Sequence, residues 1–212
     1  MSAMRTSLDS YLDAAESAAK WGDARFTPDA IRKERERQSK PARDALEARI
    51  PVERRDATAA RAAYSDAVTK ALHDDSDSNR VLARELAWQR LIRRAERGES
   101  LDTIARTASP VELEAIAAFA PAEMPYLQPN AAGRTPEDWR AYVEESVADA
   151  YTTHPTNVER FAPLAQKAAQ AEETLVLAEL GSALLEGRGL DGGLRNRVYN
   201  VDPDLYRRVT AQ

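Results

Sequence analysis

TPEDWRAYVEESVADAY, residues 135–151, decides the fold class. At 3.6 residues per turn Trp139, Tyr142, Val143, Val147, Ala150 and Tyr151 share one face, while Glu137, Asp138, Glu144, Glu145 and Asp149 sit elsewhere. That separation makes an amphipathic helix whose aromatic face is core or interface. No segment sustains the period-two alternation of a strand, so the expectation is an all-α, multi-helix bundle of about seven to nine helices, several short, with no significant β-sheet.

The same period recurs on both sides. Leu8, Tyr11, Leu12, Ala15 and Ala19 follow the i, i+3, i+4 pattern of a first helix, with Gly22 expected as its stop. Seven prolines, Pro28, Pro41, Pro51, Pro110, Pro136, Pro163 and Pro203, each read as the first residue of a helix, where no amide hydrogen is needed. The helix after Pro51 is rich in alanine, another spans about Ser78 to Glu96 and stops at Gly98, and a Ser109/Glu112 capping box opens a third. From Pro163 to Glu186 leucines wrap around the axis, which predicts a helix buried on most sides. The expected divisions are a charged N-terminal helical arm or surface helices over 1–50, a helical segment with an arginine stripe over 51–120, a Pro-rich connection over 121–135, and an acidic helical segment over 136–212.

Composition bounds the chemistry. The chain has 212 residues, 43% hydrophobic and 31% charged with 8 glycines, which suits a folded helical protein rather than a disordered one. It has no cysteine, which excludes disulfides, thiolate nucleophiles and cysteine-ligated zinc. No apolar run reaches the length of a signal-peptide core or a membrane span, so a soluble, cytoplasmic or intracellular protein is expected.

Several motifs imitate active chemistry without its context. EGRGLDGG places Gly187, Gly189 and Gly192 at the spacing of a dinucleotide-binding loop, but it follows a leucine-rich helix instead of a strand, and a helix stop is the better reading. DDSDSN begins like a calcium loop at Asp75, Asp77 and Asn79, yet Arg80 stands where the turn glycine belongs; Asp77 or Ser78 is expected to cap a helix. His73 and His154 are each alone near a helix end. Neighbouring carboxylates such as Glu144/Glu145 diverge by about 100° and cannot face one another across a substrate. No catalytic residue, cofactor, metal site or small-molecule substrate is inferred, and the expectation is a non-enzymatic protein. LDTIARTASPVELEAIAAF invites comparison with a helix-turn-helix, but its second helix offers Glu112 and Glu114 where a DNA reader needs polar or basic groups.

Charge is the remaining signal. The net charge of −5 divides into +2 over 1–106 and −7 over 107–212. RLIRRAERG sets Arg90, Arg93, Arg94 and Arg97 at i, i+3, i+4 and i+7, one stripe opposite Trp88, Leu91, Ile92 and Ala95. IRKERERQSKPAR, residues 31–43, spreads Arg32, Lys33, Arg35, Arg37, Lys40 and Arg43 around its axis, with Glu36 and Lys40 as a favourable pair; it reads as a solvated helix or a docking arm. These ten cations are the candidate contacts for a partner or for phosphate, and Trp139, Tyr142, Val143 and Tyr151 the candidate apolar interface.

Patches of opposite sign suit association between copies or with another structural protein. The expected function is therefore a helical interaction or assembly protein, a structural or scaffolding component. The alternative is a sequence-tolerant nucleic-acid-binding accessory protein that uses the Arg90–Arg97 stripe. This character, helical, cysteine-free and acidic with basic segments, is similar in composition, not in motif, to bacteriophage scaffolding and virion-assembly proteins, which would place it in an assembling particle.

Overall fold

Helix ends are written in short polar residues. In the computed structural model, which describes residues 2–23, 25–127 and 135–210, Ser2 opens α1 (Ala3–Lys20) by accepting from the Arg5 amide. α2 (Pro28–Leu72) is followed by the Asp74–Asp77 turn, where Asp77 caps α3 (Ser78–Glu96) as expected, accepting from the Asn79 amide. Ser100 caps α4 (Leu101–Thr107), and the Ser109/Glu112 box opens α5 (Pro110–Leu127): the Ser109 amide donates to Glu112 Oε2 at 2.8 Å and the Glu112 amide to Ser109 Oγ at 3.4 Å. A second box, Thr135 with Asp138, opens α6 (Pro136–Tyr142). α6 runs through a π turn, Val143–Val147, directly into α7 (Ala148–Thr153). α8 (Val158–Leu185), α9 (Gly192–Val201) and α10 (Pro203–Thr210) complete an all-α protein with no strand among the described residues. Each such cap stabilises its helix by about 1 kcal/mol.

Four of the seven prolines open helices, but Pro41 and Pro51 lie inside α2 and Pro163 inside α8. All three are exposed, so water can serve the carbonyl that each leaves without its amide donor. The Glu, Lys and Arg residues before Pro41 are strong helix formers, which carries α2 through. α5 likewise continues past Pro121 and Pro125 to Leu127, so the first part of the expected 121–135 connection is helical; residues 128–134 lie outside the described residues. α1 ends at Lys20 with Trp21 extended, and Gly22 is not its left-handed stop. Gly98 and Gly187 do take that role, with φ of 90° and 64°.

The chain forms two units, Met1–Arg61 with Lys167–Gln212, and Ala62–Gln166. The divisions fall within α2 and α8, and not at the positions that composition suggested. In the first unit Met4, Leu8 and Leu12 of α1 and Leu46 and Ile50 of α2 pack with Val176, Leu177 and Leu180 of α8 and with Leu194, Val198 and Leu205. Residues 1–50 are thus not a free arm, since five of them build a core. Between Thr174 and Leu185 no residue of α8 is exposed, in line with its predicted burial. In the second unit α5 is the central helix: Leu113 through Ala117 and Ala120 are all buried. Leu91 and Trp88 of α3, Ile104 of α4, Val68 and Leu72 of α2, Val147, Tyr151 of α7 and Phe161 pack with it, Trp88 stacking on Phe119 at 5.8 Å between ring centroids.

Candidate protein-interaction face

The expected contact residues divide into those that the fold consumes and those that it leaves outward. In the 31–43 stretch most cations are engaged. Arg32 pairs with Asp29, and Arg37 with Glu34, whose carboxyl it pulls down to about 2 through its hydrogen bond. Lys40 pairs with Asp44 at 2.8 Å rather than with Glu36. Arg35 donates to the Trp21 carbonyl at 2.9 Å and Arg43 to the Leu185 carbonyl at 3.3 Å, which satisfies carbonyls at the ends of α1 and α8. Lys33 is exposed. This segment is a solvated stretch of α2 whose cations hold local acids and neighbouring helix ends.

The arginine stripe of α3 divides in the same way. Arg94 is half-buried, donating to Glu99 at 2.9 Å and to Thr107 Oγ1 at 3.3 Å, and Glu99 raises its pKa through that hydrogen bond. Arg90, Arg93 and Arg97 are exposed. Arg90 reaches only the Leu86 carbonyl of its own helix, and Arg93 and Arg97 have no ion pair among the described residues. Along the same side lie Leu82, 55% exposed, and Leu86, 47% exposed. At 100° per residue these two leucines and three arginines fall within an arc of about 80°. The helix therefore shows the solvent a face with apolar groups in its first half and cations in its second. Sequence reading named the arginines and missed the leucines, although their i, i+4 spacing on the side opposite Trp88 and Leu91 carried the signal.

The expected aromatic interface behaves differently. Tyr151 is 2% exposed and belongs to the core, where its hydroxyl donates to Glu114 at 3.1 Å. Burial, with the Glu114 carboxylate beside it, pushes its phenol pKa up. Tyr142 is half-buried against the same core, and the side chains of Trp139 and Val143 lie outside the described residues. The outward side of α6 through α7 is acidic: Glu137, Glu144, Glu145 and Asp149 are exposed and make no ion pair among the described residues. Beside Glu144 lies a cavity of about 740 Å³, walled by Val68 and Leu72 of α2, Ala117 and Ala118 of α5 and Ala148 of α7. His73, Arg140 and Glu144 supply polar groups at this cavity.

The acids of the imitation calcium loop are held by arginines. Asp74 pairs with Arg80, and Asp75 pairs with the buried Arg84. Among the described residues no group of three or more His, Asp or Glu is arranged to hold a metal ion. Gly187 of EGRGLDGG closes α8, and Asp191 fills the N-terminus of α9, accepting from the Leu194 amide at 2.7 Å. No described helix is long and apolar enough to cross a membrane. No protein-family model, curated protein or solved structure matches this chain.

Proposed function

We propose that the protein is a non-enzymatic assembly protein that associates with other copies of itself through the exposed face of α3, as a structural or scaffolding component. One observation carries the reading. Leu82 and Leu86, half exposed, share an arc of about 80° with Arg90, Arg93 and Arg97, which are exposed and form no salt bridge among the described residues. A face with both features combines the apolar anchor and the charge selectivity of a protein-binding surface. Phosphate binding by the same arginines would use their charge but leave the leucines without a role.

The test is the molar mass in solution, by light scattering on the nucleic-acid-free protein, for wild type and for Leu82→Glu/Leu86→Glu. Wild type is expected well above the monomer mass of 23.4 kDa at high protein concentration, with the double variant at the monomer mass and equally helical by circular dichroism. A wild type that stays monomeric while it binds duplex DNA of arbitrary sequence would replace assembly with the nucleic-acid reading.

A further inference from the structure

The α3 face has a complement on the same unit. Arg90, Arg93 and Arg97 are matched in sign by Glu144, Glu145 and Asp149, and Leu82 and Leu86 are matched in character by the walls of the 740 Å³ cavity that Glu144 borders. On α3 the leucines precede the arginines. Leu86 and Arg90 are one helical turn apart, about 6 Å along the axis, and Arg93 follows about 4.5 Å beyond. Of the three carboxylates Glu144 lines the apolar hollow, and Glu145 and Asp149 follow it in the chain as exposed residues.

We propose that a second copy of this chain covers the α3 face, and that it does so with this cavity and its acidic edge: Leu82 and Leu86 enter the cavity, and Arg90, Arg93 and Arg97 meet Glu144, Glu145 and Asp149. The inference rests on the assembly reading and names the surface that the reading leaves open. Arg140 also lines the cavity, so a guest with leucines leading and arginines behind fits only with its cations directed along α7, away from Arg140.

The placement of the two surfaces fixes the symmetry. α3 packs on the Phe119 and Glu123 side of α5, where Trp88 stacks and donates to Glu123 at 2.7 Å. The cavity lies on the side of α5 that presents Ala117, Ala118, Pro121 and Ala122. One contact then joins α3 of one copy to the cavity of the next and leaves a free surface of each kind. This is a heterologous, head-to-tail arrangement, which propagates as a filament or closes as a ring. Exposed charge pairs are screened, so association weakens as salt rises.

The experiment is sedimentation velocity on the full chain, from low to high micromolar concentration and at low and high salt. Three variants accompany wild type: Arg93→Glu/Arg97→Glu, Glu144→Arg/Glu145→Arg, and Ala118→Trp, which fills the cavity from an exposed position. Circular dichroism checks that each keeps the helical content of wild type. Wild type is expected to form a concentration-dependent series of species, and each variant to associate at least roughly tenfold more weakly. An equimolar mixture of the two charge-reversed variants is expected to associate again, because each supplies the sign that the other has lost. If the arginine variant dissociates while Glu144→Arg/Glu145→Arg and Ala118→Trp assemble like wild type, the α3 reading stands and the cavity is not its counterpart. A wild type monomeric under all conditions would overturn both.

Discussion

Arg80 and Glu114 form a two-pronged ion pair in the second unit, Nε to Oε2 at 2.9 Å and Nη2 to Oε1 at 2.6 Å. Glu114 is 3% exposed, and it also accepts from the Tyr151 hydroxyl. Arg80 donates further to the Ala71 carbonyl and to Asp74, and its guanidinium pKa is raised, chiefly by the hydrogen bond to Glu114. One carboxylate therefore ties the end of α2, the start of α3, and α5 and α7 together. Removing it takes the two-pronged acceptor from the partly buried Arg80, which keeps Asp74 and the Ala71 carbonyl, and leaves the buried Tyr151 hydroxyl without the Glu114 acceptor. Glu114→Ala is expected to lower stability by about 3 kcal/mol, read as a shift of the urea midpoint. The double change Arg80→Met/Glu114→Leu should recover most of that loss. A Glu114→Ala midpoint equal to wild type would mean that the pair contributes nothing to holding the four helices.

Pro41 interrupts α2 at an exposed position, so its cost is backbone alone. Proline in a helix interior is about 3 kcal/mol less favourable than alanine, and its restriction of the unfolded chain returns up to about 1 kcal/mol. Pro41→Ala is expected to raise stability by about 2 kcal/mol in urea unfolding. A loss of stability would show that the ring makes packing contacts that outweigh the missing hydrogen bond.

What was legible in the sequence follows from how local each feature is. The helical class, the Ser109/Glu112 box, the Asp77 cap and the stop at Gly98 depend on residues within a turn of one another, and each was readable. The prolines at 41, 51 and 163 were not, because proline suits a first turn and survives in an interior when the face is solvated, and solvation is a tertiary property. Glu114 counted only as an acid that argues against DNA reading, although its place within an apolar run from Leu113 to Ala120 already required a partner from elsewhere in the fold. Arg94 was grouped with its neighbours because its partner Glu99 lies beyond the helix end, outside the i, i+4 frame. Spacing named the stripe but not which of its members stay outward, because Arg90, Arg93 and Arg97 share it with Arg94.

Gly181 lets α8 approach its neighbours closely. A Cβ there would lie 3.2 Å from Ile50 Cδ1 and 3.2 Å from Met4 Cε, both in the core of the first unit. Gly181→Ala gains helix propensity of about 1 kcal/mol and loses a similar amount as those two side-chain ends yield, so it should change stability by no more than about 1 kcal/mol. Gly181→Val brings two further methyl groups and is expected to cost about 3 kcal/mol. The two thermal midpoints check the ordering, and a valine variant as stable as alanine would show that the core yields more freely than its packing implies.

Arg208 of α10 gathers the carboxylates of α1, reaching Glu16 at 2.7 Å, Asp13 at 2.5 Å and Asp9 at 3.5 Å. The hydrogen bond from Arg208 holds the Glu16 carboxyl below its ordinary value. A carboxyl whose folded value is depressed adds stability that is fully present above the unfolded value, about 4.3 for glutamate, and that is lost as pH falls through the folded value. Wild type should therefore lose stability as pH falls below about 4.3 and through the lowered folded value of Glu16. In Arg208→Met the clamp is gone at neutral pH, so the variant starts less stable and its acid slope is shallower. The urea midpoints of the two proteins should converge as pH falls, because a protonated Glu16 no longer attracts Arg208. A constant gap between them down to about pH 2 would mean that Arg208 stabilises the α1–α10 pairing by the packing of its stem and not by its charge.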